Sequence, residues 1–162
     1  MIKSIQVMNR FNVELFVNGL TNPPSNKFCL ISISNIDDVL INESKTPRLR
    51  AVGCVKELPL QFTDITPEDK MALRMIKRMP NRFRLFDRTD AYKIISFLDE
   101  MNSLQESLDL IAHCQAGISR SGAVALFASK YLNVSFFDPY IDPNTHVLET
   151  LYSIVPLTST NS

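Results

Sequence analysis

The stretch from Leu108 to Leu132, LDLIAHCQAGISRSGAVALFASKYL, constrains the fold more than any other part of this 162-residue chain. An apolar run from Leu108 to Ala112 reads as a strand ending at His113 and Cys114. A loop with Ala116 and Gly117 follows. Arg120-Ser121-Gly122 then opens a segment, 121–132, that is apolar almost all round. A helix without a polar face must be buried in the middle of a fold, and a strand without alternation must be covered on both faces. The unit therefore belongs inside an α/β domain.

The rest of the chain supplies matching parts. Phe28–Ile33 is a second buried strand, Leu58-Pro59-Leu60-Gln61-Phe62 a shorter third, and a fourth lies near Ile5 and Val7. Thr66-Pro67-Glu68-Asp69 offers an N-cap, a proline at the first helical position and early acids. Behind it, Met71, Met75, Ile76 and Met79 share one face, a stripe that predicts core packing. Thr89 caps the next helix, where Ala91, Ile94, Ile95, Leu98 and Met101 keep helical spacing, and Asp90 suits its first turn. Pro143 opens a last helix with Val147, Leu148, Leu151 and Ile154 inward. Strands alternating with helices predict an α/β fold: a single domain with a central, mostly parallel sheet flanked by helices on both sides. No repeat or composition break divides the chain, so residues 1–157 read as one domain and the polar 158–162 as a frayed tail.

Charge and cysteine usage narrow the function. Seventeen Lys and Arg balance seventeen Asp and Glu, which leaves no global field to attract nucleic acid or an acidic membrane. One local excess, Lys77, Arg78, Arg82, Arg84 and Arg88, fits either a solvated helix face or a meeting with an anionic substrate. Cys29, Cys54 and Cys114 have no zinc-site spacing, so no metal is expected, and Cys29 and Cys54 read as small buried hydrophobes. The N-terminus MIKSIQVMNR lacks a signal-peptide core, and no apolar run is long enough to span a bilayer. The expectation is a cytoplasmic protein, where a free thiolate survives.

Residues 111–122, IAHCQAGISRSG, carry the chemistry. A loop feeding a helix N-terminus aims several backbone N–H groups at one point, and the helix dipole adds positive potential. Gly117 permits the φ angles that turn successive N–H groups inward as an anion nest. Arg120 supplies a planar fork for two phosphate oxygens. Cys114 lies at the floor of this cup, in surroundings that lower a thiol pKa from ~8.5 into roughly the 3.5–7.5 range. A thiolate aimed at a cradled phosphorus is a nucleophile for in-line displacement. Cys-x5-Arg alone is weak. The full pattern H-C-x-A-G-x-x-R-S-G fixes seven positions, with a chance occurrence on the order of one in ten million.

These residues resemble the signature of the protein tyrosine phosphatase superfamily, HCxxGxxR(S/T), and CQAGISRSG looks most like the small dual-specificity phosphatases. The resemblance is strongest over 108–132 and extends loosely back to Phe28, through the Leu-x-Phe-x-Asp stretch at 60–64. It implies hydrolysis of phosphate monoesters in two steps, without cofactor. Cys114 forms a phosphocysteine while an aspartic acid protonates the leaving oxygen, and the same carboxylate then activates water. It implies that Ser121 helps the thiolate depart and that His113 orders the loop. The general acid implied on an upstream loop is Asp64 first, with Asp87 and Asp69 as alternatives; the chain has no Trp, so a tryptophan-containing acid loop is absent.

The substrate-binding positions, Gln115, Ala116, Gly117, Ile118 and Ser119 together with Arg120, include no cation before the signature arginine. By the resemblance this favours phosphotyrosine, with phosphoserine and phosphothreonine, over inositol phospholipids. The expected partner is a phosphorylated protein or small phosphate ester, with no nucleic acid and no membrane. Three rival readings are a phosphate-binding module without turnover, a sulfurtransferase or arsenate reductase, and a purely structural domain. Intact Cys114, Arg120 and Ser121 count against the first, and the absence of suitably spaced resolving cysteines counts against an arsenate reductase.

Overall fold

The computed structural model describes residues 1–36 and 46–155, so the expected tail at 158–162 and the end of the domain at 156–157 lie outside the described residues. Four strands form one sheet: β1 (Ile2–Asn9), β2 (Phe28–Ser34), β3 (Cys54–Gln61) and β4 (Leu108–Cys114), in the order β1-β4-β2-β3. Every pairing is parallel. The sequence predicts β2 and β4 nearly to their ends. β3 begins four residues earlier than its apolar stretch, because its first half, though paired with the buried β2, carries half-buried Val55 and Glu57 and exposed Lys56 and so shows no apolar run. Pro59 sits in this strand because β3 is an edge, where a missing N–H is tolerated.

Six helices connect the strands: α1 (Arg10–Val17), α2 (Thr46–Ala51), α3 (Lys70–Arg78), α4 (Arg88–Ser103), α5 (Arg120–Leu132) and α6 (Thr145–Ile154). Alternation within β2 shows how both faces are covered. Cys29, Ile31 and Ile33 face a core shared with α4, α5 and α6, while Phe28 and Leu30 face Val13, Phe16 and Val17 of α1 and Leu49 of α2. α5 is buried along Ala123, Val124, Ala125, Phe127 and Ala128, as its all-round apolar sequence requires. Phe127 stacks 5.4 Å from Tyr131 and packs 5.4 Å from Tyr152 of α6.

The structure corrects three local readings. α4 is capped by Asp87, not Thr89: the Asp87 side chain accepts from the Asp90 N–H, and the Asp90 side chain accepts from the Asp87 N–H. α3 is capped by Asp69, which accepts from the Ala72 N–H, while Thr66–Asp69 closes a turn ahead of it. α6 starts at Thr145, two residues after Pro143, on an Asn144 cap. A fourth correction matters more. The methionine stripe of α3 is not core: Met71, Met75 and Met79 are 72%, 38% and 36% exposed, and only Ala72 of the helix is buried. α3 belongs to an excursion from the sheet, residues 63–84, pinned at its base by Thr63 N–H to Arg84 carbonyl (2.8 Å) and Arg84 N–H to Thr63 Oγ1 (3.1 Å).

Candidate active site

β4 delivers His113 and Cys114 to the C-terminal edge of the sheet, where residues 115–119 turn into α5. The turn is fixed by Gly117, whose φ is +72°. A Cβ there would lie 2.7–2.8 Å from backbone atoms of Met8 and Asn9, so only glycine lets the loop close against the end of β1. The Arg10 N–H reaches the Gln115 carbonyl (3.4 Å) from the same side.

Cys114 is 2% exposed, and its Sγ lies 3.1 Å from the Ser121 Oγ. Burial pushes the thiol pKa up, but the Ser121 hydroxyl and the backbone N–H groups of Ser121, Ile118 and Gly117 outweigh it and hold the pKa below its ordinary value. The other cysteines show what burial does without such donors. Desolvation, with the neighbouring Cys54, pushes Cys29 to about 12, and desolvation with Glu57 does the same to Cys54.

Arg120, the first residue of α5, is buried beneath the loop. Its Nη1 donates to the Phe62 carbonyl (2.8 Å) and the Asn35 Oδ1 (3.0 Å), while Nε is buried with no hydrogen-bond partner among the described residues. One end of the guanidinium is thus anchored to protein, and a donor on its other edge remains for an anion. Ser119 occupies the N-cap position of α5 but makes no capping bond. Its hydroxyl donates to Asp64 Oδ1 (2.8 Å) instead, which leaves the first N–H groups of the helix facing the loop.

Asp64 reaches this loop across 55 residues of sequence. Asn144 Nδ2 donates to the same Asp64 oxygen (2.9 Å), and the Asn144 N–H donates to the Ser119 carbonyl (3.2 Å). The carboxylate is exposed, so it stands at the rim of the cup, not at its floor. Asp87 and Asp69 are instead occupied as helix caps. Arg84, part of the basic run, is held charged by Asp90 at 2.6 Å and also donates to the Gln61 carbonyl. His113 Nε2 lies 2.9 Å from Ser32 Oγ, which donates in turn to Glu57, so the imidazole ties β4 to β2 and β3 behind the loop.

Cys114, Ser121, Arg120, Ser119, Gly117 and Ile118 therefore surround one point, with Asp64 at its rim, while the exposed Gln115 and Ala116 form the outer turn. The sequence reading missed Asn35 and Asn144. Asn35 gave no signal. Asn144 is hidden by the expectation that Pro143 opens the helix, which places Asn144 inside the helix and not at its cap. Such a cup can bind a tetrahedral oxyanion and present a sulfur nucleophile to its centre.

No protein-family model matches the sequence, and no curated protein is similar to it. Among solved structures the chain is similar to the crystal structure of PTPMT1 in complex with PI(5)P, at 15% identity and a TM-score of 0.48, over 93% of this chain and 88% of that one.

Proposed function

We propose that this chain is a phosphate-monoester hydrolase of the cysteine-dependent, tyrosine-phosphatase type, acting through a phosphocysteine. The observation that carries the reading is what converges on Cys114: the Ser121 hydroxyl 3.1 Å from its buried sulfur and the backbone N–H groups of Ser121, Ile118 and Gly117, which hold the thiol pKa below its ordinary value despite burial. Structural cysteines in this same chain are pushed the other way.

In the first step the Cys114 thiolate attacks phosphorus, held by loop N–H groups and by the unoccupied edge of Arg120. The S–P bond forms as the ester P–O bond breaks, and Asp64 gives its proton to the departing oxygen. In the second step a water attacks phosphorus, Asp64 takes back a proton, and the S–P bond breaks to release inorganic phosphate. The Ser121 hydroxyl stabilises the thiolate that leaves. Ser119 and Asn144 hold Asp64 over the cup between steps. The domain that does this is residues 1–157, in a reducing compartment, on phosphotyrosine and phosphoserine or phosphothreonine in proteins, with no metal or cofactor.

The test is hydrolysis of para-nitrophenyl phosphate in excess chelator by wild type, Cys114→Ser and Asp64→Ala. The reading requires turnover by wild type, none by Cys114→Ser, and a loss of about a hundredfold or more in Asp64→Ala. An inert wild type that binds vanadate at Cys114 would make the protein a phosphate-binding module.

A further inference from the structure

The excursion 63–84 leaves the sheet at Asp64 and carries α3, whose exposed surface is unlike the rest of the molecule. At ~100° per residue, Lys70, Arg74 and Arg78 form one row along the helix, and Met71, Met75 and Met79 form the next row beside it. Both rows are exposed, and only the third sector, Ala72 with half-buried Leu73 and Ile76, turns inward. Lys77 adds a fourth cation, and the helix holds no acidic residue. Its N-cap, Asp69, follows Asp64 by five chain steps, so the start of the helix lies within ~18 Å of the rim carboxylate.

Other segments next to the cup also expose apolar side chains. Ile118, in the loop itself, is 40% exposed. Phe137 and Tyr140, on the connection from α5 to α6, are 88% and 83% exposed, and this connection is fixed beside the cup by Ile141 against Gly122 and by the Asn144 N–H on Ser119. Phe11, in the first turn of α1 next to the Arg10–Gln115 bond, is 66% exposed. Large apolar side chains are costly to leave in water when gathered together, and such a gathering marks an interaction surface.

We infer that this rim is a docking surface for an anionic lipid bilayer, with α3 lying in the interface. A bilayer surface stacks a negatively charged headgroup layer on an acyl layer, and the adjacent cationic and methionine rows of α3 match those two layers along the helix. An acidic protein segment would satisfy the cations at discrete points and leave the methionines wet. The methionine row runs the length of α3 on an exposed helix face, not in a groove, and so suits a flat surface better than a single peptide. Zero net charge does not oppose this, because a surface senses only charge within about 10 Å. The surface needs no turnover by Cys114 and stands apart from the phosphatase reading.

The experiment is co-sedimentation of the full chain, at about 0.15 M salt, with vesicles of phosphatidylcholine alone or with about one-third phosphatidylserine. Wild type is expected to sediment with the mixed vesicles and not with the neutral ones. Arg74→Glu/Lys77→Glu should weaken binding by about fivefold or more per cation. Met71→Asp/Met75→Asp should abolish it with the cations intact. Hydrolysis of para-nitrophenyl phosphate, or the circular-dichroism melt if the chain is inert, confirms that each variant is folded. Wild type left in the supernatant, or binding indifferent to both double variants, overturns the proposal. Retention on an immobilised acidic peptide, without vesicle binding, assigns the rim to a protein partner and overturns it as well.

Discussion

Three buried cysteines in one chain meet two opposite fates, and burial alone accounts for only one of them. All three are buried, yet two are pushed to about 12 and one is lowered, and the difference lies in the donors aimed at the sulfur. Because the folded pKa of Cys114 lies below that of a free thiol, ~8.5, its thiolate persists below that pH and is lost only as pH falls through the lowered value. Iodoacetamide should therefore alkylate Cys114 alone in the native protein at neutral pH, as peptide mapping would show. In Ser121→Ala the alkylation profile should move to higher pH, since the hydroxyl that stabilises the thiolate is gone; an unmoved profile would remove Ser121 from the account. Gly117 gives a second prediction at this scale. Gly117→Ala drives a methyl group into the backbone of Met8 and Asn9, so the loop must shift. A displacement of about 1 Å can cost on the order of a hundredfold in kcat/KM, to be read on para-nitrophenyl phosphate beside a near-native circular-dichroism spectrum.

At the level of elements, helix caps separate the carboxylates. Asp87 closes a capping box on α4, so Asp87→Ala should lower stability by ~1 kcal/mol in urea unfolding while kcat stays unchanged. Asp64→Ala should do the reverse. Asn144 combines both roles, because it caps α6 and holds Asp64. Asn144→Ala should cost ~1 kcal/mol and also lower kcat, and a variant that loses stability alone would confine Asn144 to the helix. The caps also show where sequence reading stops. Ala91, Ile94, Leu98 and Met101 mark α4 because their spacing repeats over about three turns, but the start of the helix is ambiguous in sequence, since Thr89 and Asp87 are both acceptable caps and only the tertiary position of Arg84 and Asp90 decides between them. α1 and α2 are too short for periodicity to stand out. The stripe on α3 shares one face as its spacing predicts but is not core, because spacing records that a face is apolar and not what it meets.

Over the whole molecule, the parts nearest in sequence were the most legible. β4, the loop and α5 are contiguous, and their pattern gave both the parallel sheet and the cup. What completes the site arrives from elsewhere: Asn35 from the end of β2, Phe62 and Asp64 from beyond β3, Asn144 from the start of α6. The order β1-β4-β2-β3 brings these ends to one edge, and no local pattern encodes that order. The two-faced core holds the arrangement together. Phe127→Ala, which empties the contact between α5 and α6, should cost ~3–5 kcal/mol by urea denaturation and lower activity only as far as the protein unfolds.

The central claim is that Cys114 carries the phosphoryl group. Ser121→Ala should slow departure of the thiolate, so this variant, mixed with para-nitrophenyl phosphate and quenched rapidly in acid, is predicted to gain the mass of one phosphoryl group on the peptide containing Cys114. Release of nitrophenol by wild type, with no phosphoryl group trapped on Cys114 in the variant and full turnover retained by Cys114→Ser, would contradict it.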